Sequence, residues 1–260
     1  MQITTTPGNE TDPEISPDGK HIAFVSDKAG SENIFISDLF GRNPRQLTFR
    51  AGHNLNPAWT PDGKSIIFNS DRLGYNAVFK IDLNRERITE VLVARGANDF
   101  APDMAKSKSF IVFGNQTIYA ESLWMYHLSR KQTSQIGEGI YPVISPNDRM
   151  IAYTSSKGGN SDLWLTDLKS QEIRQLTVDS AEDLAPSWSP DGNKIVFASN
   201  RGGNYDIWLF NMKRNQLIQL TNNPAEDGHP VWTPDGRYIY FHSKRSGNFD
   251  IWRIKPVRSK

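Results

Sequence analysis

Asp183-Leu184-Ala185-Pro186-Ser187-Trp188-Ser189-Pro190-Asp191-Gly192 holds a short apolar run around its first proline and ends in a tight turn. The next segment, Lys194-Ile195-Val196-Phe197-Ala198-Ser199, is again apolar and β-branched. Proline presets φ, and Asp followed by Gly tolerates the left-handed conformations of a hairpin, so Pro190-Asp191-Gly192 predicts a turn between two strands.

Working outward, the same pattern recurs along the whole chain. The first proline aligns with Pro13, Pro57, Pro102, Pro142 and Pro230, giving intervals of 44, 45, 40, 44 and 44 residues in chain order. Turns of the same kind begin at Pro17, Pro61, Pro146 and Pro234, whereas the third unit reads Ala105-Lys106-Ser107-Lys108. A polar, Gly-containing loop leads to a third run such as Tyr205-Asp206-Ile207-Trp208-Leu209, and a fourth run reads Gln175-Leu176-Thr177 or Gln219-Leu220-Thr221. Four short strands in each of six repeats of ~44 residues, with no sustained helical periodicity, predict an all-β, six-bladed propeller of four-stranded antiparallel blades. The last unit stops after its third run, Ile251-Trp252-Arg253-Ile254, and the chain opens on a lone fourth run, Gln2-Ile3-Thr4. The N-terminal strand is therefore expected to complete the last blade, closing the ring and removing open sheet edges, with residues 1–260 forming one domain.

Charge and composition exclude several function classes. Lys plus Arg number 30 against 29 Asp plus Glu, so no net field draws the molecule to nucleic acid, and no nucleic-acid partner is expected. Cysteine is absent, which removes disulfides, thiolate metal sites and cysteine nucleophiles. No apolar run approaches the ~20 residues of a membrane span, so the chain is not expected to be membrane-embedded. A monomer is expected. Residues 1–6 lack the pattern of a signal peptide. The compartment expected is the periplasm if such a peptide has been removed, and otherwise the cytoplasm.

The repeats around Asp183–Gly192 and Glu226–Gly236, and the later stretch Ser199–Trp208, resemble those of the TolB-like six-bladed propellers. The resemblance covers all 260 residues. It implies a ring used as a binding platform, and the degenerate third unit is one departure from the family pattern.

Candidate site residues follow from the topology. Loops joining the fourth strand to the next first strand share one rim, here the upper one, with loops joining the second and third strands. Four and three residues before the anchor prolines, this rim carries acids that include Glu10, Asp99, Asp183 and Asp227. If they converge on the channel mouth they suit Ca²⁺, which takes six to eight oxygen ligands at ~2.4 Å, or a basic segment; otherwise they are loop acids that cap strands and turns. Tyr75, Tyr119, Tyr205 and Phe249 break the repeat pattern on the same rim, as aromatic anchors of a protein or peptide partner do, or as local packing would. Of the five histidines only His53 and His229 fall in the channel-mouth segments. No Gly-x-Ser-x-Gly, His-Glu-x-x-His, phosphate-binding or dinucleotide motif is present. The leading expectation is a non-catalytic propeller that binds a protein or peptide at the upper face. The alternative is a substrate-recognition ring of a carbohydrate-active or peptidase-associated system, with a metal or general base at the channel mouth. The recurring Ser, Arg or Lys, Gly and Asp positions of the second-to-third loop are expected to brace each blade.

Overall fold

The computed structural model describes residues 1–49, 52–92, 98–118 and 120–256. Within them, strands occur in six antiparallel sheets, taken here as blades one to six in chain order. Blade one contains β1 (Glu10–Ile15), β2 (His21–Ser26), β3 (Asn33–Asp38) and β4 (Arg45–Gln46), and blade two β5 (Asn54–Trp59), β6 (Ser65–Ser70), β7 (Ala77–Asp82) and β8 (Arg87–Leu92). Blade three contains β9 (Asn98–Met104), β10 (Phe110–Gln116), β11 (Glu121–His127) and β12 (Gln132–Gly137), and blade four β13 (Ile140–Ile144), β14 (Met150–Ser155), β15 (Asp162–Asp167) and β16 (Ile173–Gln175). Blade five is β17 (Asp183–Trp188), β18 (Lys194–Ser199), β19 (Asp206–Asn211) and β20 (Gln216–Gln219), and blade six is β21 (Asp227–Trp232), β22 (Ile239–Ser243) and β23 (Asp250–Ile254). No helix among the described residues is long and apolar enough to cross a membrane.

Blade six obtains its fourth strand from the N-terminus. Gln2 bridges Trp252, the amide of Ile3 donates to the carbonyl of Ile251 at 2.7 Å, and the amide of Arg253 donates to the carbonyl of Met1 at 2.8 Å. Gln2-Ile3-Thr4 also repeats the side-chain pattern of the other fourth strands. Gln219 and Thr221 donate to Asp206 at 3.1 Å each, and Gln2 and Thr4 donate to Asp250 at 2.9 and 3.2 Å.

The first turn of a blade explains its residue types. In Ser189-Pro190-Asp191-Gly192 the Ser189 hydroxyl donates to Asp191 at 2.6 Å, Asp191 accepts the Asn193 amide at 3.1 Å, and Gly192 takes φ of 68°, a left-handed value that a side chain would strain. This turn abuts Pro146 of the preceding blade, as Gly19 abuts Pro234 across the ring closure. In the degenerate third turn Lys108 stands in the left-handed position with φ of 57°. Asp148 of blade four supports that turn by accepting the amides of Lys106 and Ser107, both at 2.8 Å.

The core lies between blades. Separate apolar clusters occupy the six junctions, and that between blades six and one joins Val231, Tyr240 and Ile251 to Ile3, Ile15, Ile22, Phe24 and Phe35. Trp59, Trp188 and Trp232 occupy one register of this packing, and the indole N–H groups of Trp59 and Trp188 donate to the carbonyls of Glu14 and Val143 in the preceding blade, each at 3.2 Å.

Candidate binding face and central channel

Proline cannot donate to a ladder, so each inner strand must break its pairing at the anchor proline. In β1, β5, β9, β13, β17 and β21 the register shifts there. The residue before the proline takes a positive φ, between 45° and 51°, in every blade: Asp12, Asn56, Ala101, Tyr141, Ala185 and His229. A left-handed non-glycine residue costs about 1–3 kcal/mol, and here the cost is spread over a ring of side chains that line the channel.

That ring is asymmetric. The His229 Nδ1 lies 3.3 Å from the Asp12 carboxylate, and Asn56 donates to the other Asp12 oxygen at 3.3 Å, so three consecutive blades are joined by polar contacts. From the far side Tyr141 of blade four meets the His229 ring edge-on, with centroids 5.6 Å apart, and Phe100 meets Tyr141 at 5.7 Å. Burial first, then the charge of Asp12, pushes the Tyr141 hydroxyl up to about 12, so it stays protonated. The channel is thus narrowed by an imidazole and a phenol in contact across it.

His242 extends the ring stack toward the upper rim. It pairs with Gly228 in the blade-six ladder, and because Gly228 has no side chain the imidazole crosses the inner strand to lie 5.1 Å from His229 and 4.7 Å from Phe249. Desolvation, aided by the neighbouring His229, drives its basicity well below the ordinary histidine range and keeps it neutral. Blade three uses the opposite solution, with Phe100 on the inner strand and Gly114 opposite it.

The acids expected as metal ligands do not converge. Glu10, Asp99, Asp183 and Asp227 are each buried in a separate blade, at or next to the start of the inner strand. Arg201 donates to both oxygens of Asp183 at 2.8 and 2.6 Å and to Ser199 at 2.8 Å, and Arg245 repeats this with Asp227 and Ser243. These guanidinium groups also lie over Phe197 and Trp208, or Phe241 and Trp252. Charge-assisted bonding of this kind, from one guanidinium nitrogen to both oxygens, holds the second-to-third loop onto the inner strand and occupies the Asp183 and Asp227 carboxylates. The described residues contain no group of three or more His, Cys, Asp or Glu side chains arranged for a metal ion. These four acids therefore do not fit a shared Ca²⁺.

The histidines also separate. His53 is exposed on the upper rim, bonded to Glu32, a contact that raises its basicity, while His229 lies inside the channel. The rim aromatics are half-buried rather than free: Tyr75 packs against the blade one–two core, Tyr205 donates its hydroxyl to Glu182, and Phe249 lies between His242 and the Lys244 ammonium. Tyr119 lies outside the described residues. What sequence reading missed is a set of exposed aliphatic and aromatic side chains on the same rim, Phe49, Leu73, Ile118 and Val178. A signal was present, because Phe49 and Val178 follow Gln-Leu-Thr where the next unit has the polar Asn222.

This ring of inter-blade cores around a channel defines a six-bladed β-propeller. The family described as the TolB beta propeller domain (PD40) matches residues 1–160 and 139–259, and the chain belongs to that family. Among solved structures it is similar to TolB from Acinetobacter baumannii, with a TM-score of 0.83 and 21% identity over 91% of this chain and 61% of that one. It is also similar to oligogalacturonate lyase from Vibrio parahaemolyticus, with a TM-score of 0.69 and 13% identity over 99% of this chain and 93% of that one. A prolyl endopeptidase gives a TM-score of 0.62 and 14% identity over 97% of this chain and 43% of that one. At these identities the likeness is one of fold. The chain spans 61% of the length of the Acinetobacter protein. No curated protein matches the sequence.

Proposed function

We propose that the protein is a non-catalytic binding platform that takes a protein or peptide segment on its upper rim. The supporting observation is that Phe49, Leu73, Ile118 and Val178, on rim loops of blades one to four, are 60, 47, 88 and 76% exposed. The other exposed large apolar side chains described, Met1, Phe40 and Ile173, lie away from that rim. Apolar side chains of this kind contribute free energy when a partner buries them, while charges such as those of the His53–Glu32 and Lys244–Glu226 pairs act mainly on association rate. The half-buried Tyr75, Tyr205 and Phe249 back this surface and hold its loops.

The test is site-specific cross-linking. A photoreactive residue at Leu73 or Val178 is expected to give a discrete adduct in native lysate, and one at Lys213 on the opposite rim none. Full burial of a Leu or Val side chain is worth about 1.5–3 kcal/mol, so Leu73→Asp with Val178→Asp should abolish the adduct formed from Ile118 while leaving the melting temperature unchanged. Adducts only from Lys213 would place the partner on the wrong face for this reading. The alternative, substrate recognition in a carbohydrate-active or peptidase-associated system, draws on the Asp12–His229 contact in the channel; turnover of an oligosaccharide or peptide that His229→Ala stops would favour it.

A further inference from the structure

Below the His229–Tyr141 contact the channel widens toward the hairpin turns into a cavity of about 550 Å³ that the upper rim does not use. Its wall is built from the anchor prolines of all six blades and the turn prolines of five, with Trp59, Trp188 and Trp232 among the lining residues. Its size falls within the ~300–1,000 Å³ of small-molecule sites, which are mostly apolar and carry a few polar groups.

The polar groups are unevenly satisfied. The position after the anchor proline carries Glu14, Ala58 and Asp103 in blades one to three, so two carboxylates flank a small residue at one level of the channel. Asp103 accepts the amide of Met104 at 2.8 Å and that of Ile144, from the next blade, at 2.7 Å. Asp12 is engaged by His229 and Asn56, and Asp148 by two amides of the third hairpin. Glu14 differs. Its carboxylate has no hydrogen-bond or ion-pair partner among the described residues, and Lys106, at the mouth of the cavity, makes no ion pair with it. Burial, and then the charge of Asp103, push the Glu14 carboxyl well above the usual carboxylate range. Glu14 is half-buried and lines the cavity, so a carboxylate against apolar walls stands there without a counter-charge, and a bound cation supplies one.

We propose that this cavity binds an organic cation, an alkylammonium or alkylguanidinium group entering from the hairpin rim, with Glu14 as its counter-charge and the proline and tryptophan walls against its methylenes. A hard metal ion fits less well. It needs six to eight oxygens, while the oxygens of Asp103 are already turned to backbone amides. An organic cation needs one charge-assisted carboxylate contact and apolar walls for its stem. Such a group comes either as a free small amine or as a Lys or Arg side chain presented by a protein.

Calorimetric titration of the 260-residue chain at neutral pH and low salt, with cadaverine, agmatine and the peptide acetyl-Gly-Gly-Lys-Gly-Gly-amide, tests the proposal. At least one of the three is expected to bind saturably at one site per chain. Glu14→Gln is expected to weaken it about tenfold or more, and Glu172→Gln, exposed in the loop just before β16, to leave it unchanged. Tighter binding of the free amines assigns the site to a small molecule, and tighter binding of the peptide to a protein side chain. Absence of binding by all three probes, or undiminished binding by a Glu14→Gln variant that melts as a folded ring, overturns it. Should Glu14→Gln fail to fold, Glu14→Asp, which keeps the charge but withdraws it, should weaken binding, and equal binding overturns the proposal. The Leu73→Asp and Val178→Asp chain is expected to keep this affinity, so loss of the upper-rim reading leaves the cavity result standing.

Discussion

The hydroxyl of Thr4 donates to Asp250 at 3.2 Å and accepts the amide of Ile251 at 2.8 Å, joining residues 246 positions apart in the chain. Thr221 makes the same two contacts within blade five, with Asp206 at 3.1 Å and Ile207 at 2.8 Å. Ring closure therefore repeats the bonding that holds a fourth strand in an ordinary blade. Thr4→Val keeps the shape but leaves a buried carboxylate oxygen and a buried amide short of a partner, each worth ~1–3 kcal/mol. Its melting temperature is expected to drop clearly below that of Thr5→Val, which alters an exposed neighbour. Equal melting of the two variants would show that the N-terminal strand does not close the ring in this way.

The same seam carries two carboxylates without the arginine found in blades five and six. Glu10 takes the place of Asp183 and Asp227, and unit one has Lys28, whose ammonium lies 4.2 Å from the Phe35 ring centroid, where those blades have Arg201 and Arg245. One Glu10 oxygen is buried with no hydrogen-bond partner among the described residues. Burial, and to a lesser degree the charge of Asp250, raise the Glu10 carboxyl above its ordinary value of 4.5, against hydrogen bonds from Thr6 and Ser26 that pull it down. A folded-state value above the unfolded one means that the Glu10 contribution is fully present below that ordinary value and is lost as pH rises through the raised one. The melting temperature of Glu10→Gln minus that of the parent should therefore become more positive as pH rises from acidic to neutral. A difference that does not change with pH would contradict the assignment.

Gly228 and His242 form a size-matched pair, since any side chain at Gly228 would overlap the imidazole. Gly228→Ala is expected to cost about 1–3 kcal/mol by overpacking, and to remove His242 from its stack with Phe249 and His229. In a double-mutant cycle, Gly228→Ala with His242→Ala should recover most of that loss, because the second change vacates the space. Additive losses would mean that the glycine serves the backbone rather than the histidine.

The architecture was legible because a propeller blade is a local unit. Pro186, Pro190, Asp191 and Gly192 state the strand and its turn within seven residues, and repetition counts the blades. Gln2-Ile3-Thr4 revealed the closure because it is a fourth strand in the wrong place along the chain. The binding surface was less legible. Asp183 and Asp227 look like loop acids in sequence, yet the guanidinium groups of Arg201 and Arg245, 18 residues further on, neutralise them inside their blades. Tyr205 and Phe249 look free, yet each finds a partner when neighbouring loops meet. Only the folded ring decided that the residue before each anchor proline lines the channel, because the strand must bulge where proline cannot donate. Only the ring set Glu14 at one level with Asp103 from another blade, and left it without a counter-charge. Spacing within one repeat determines a strand and its turn, whereas the charge and contacts of a channel depend on side chains from blades that meet only when the circle closes.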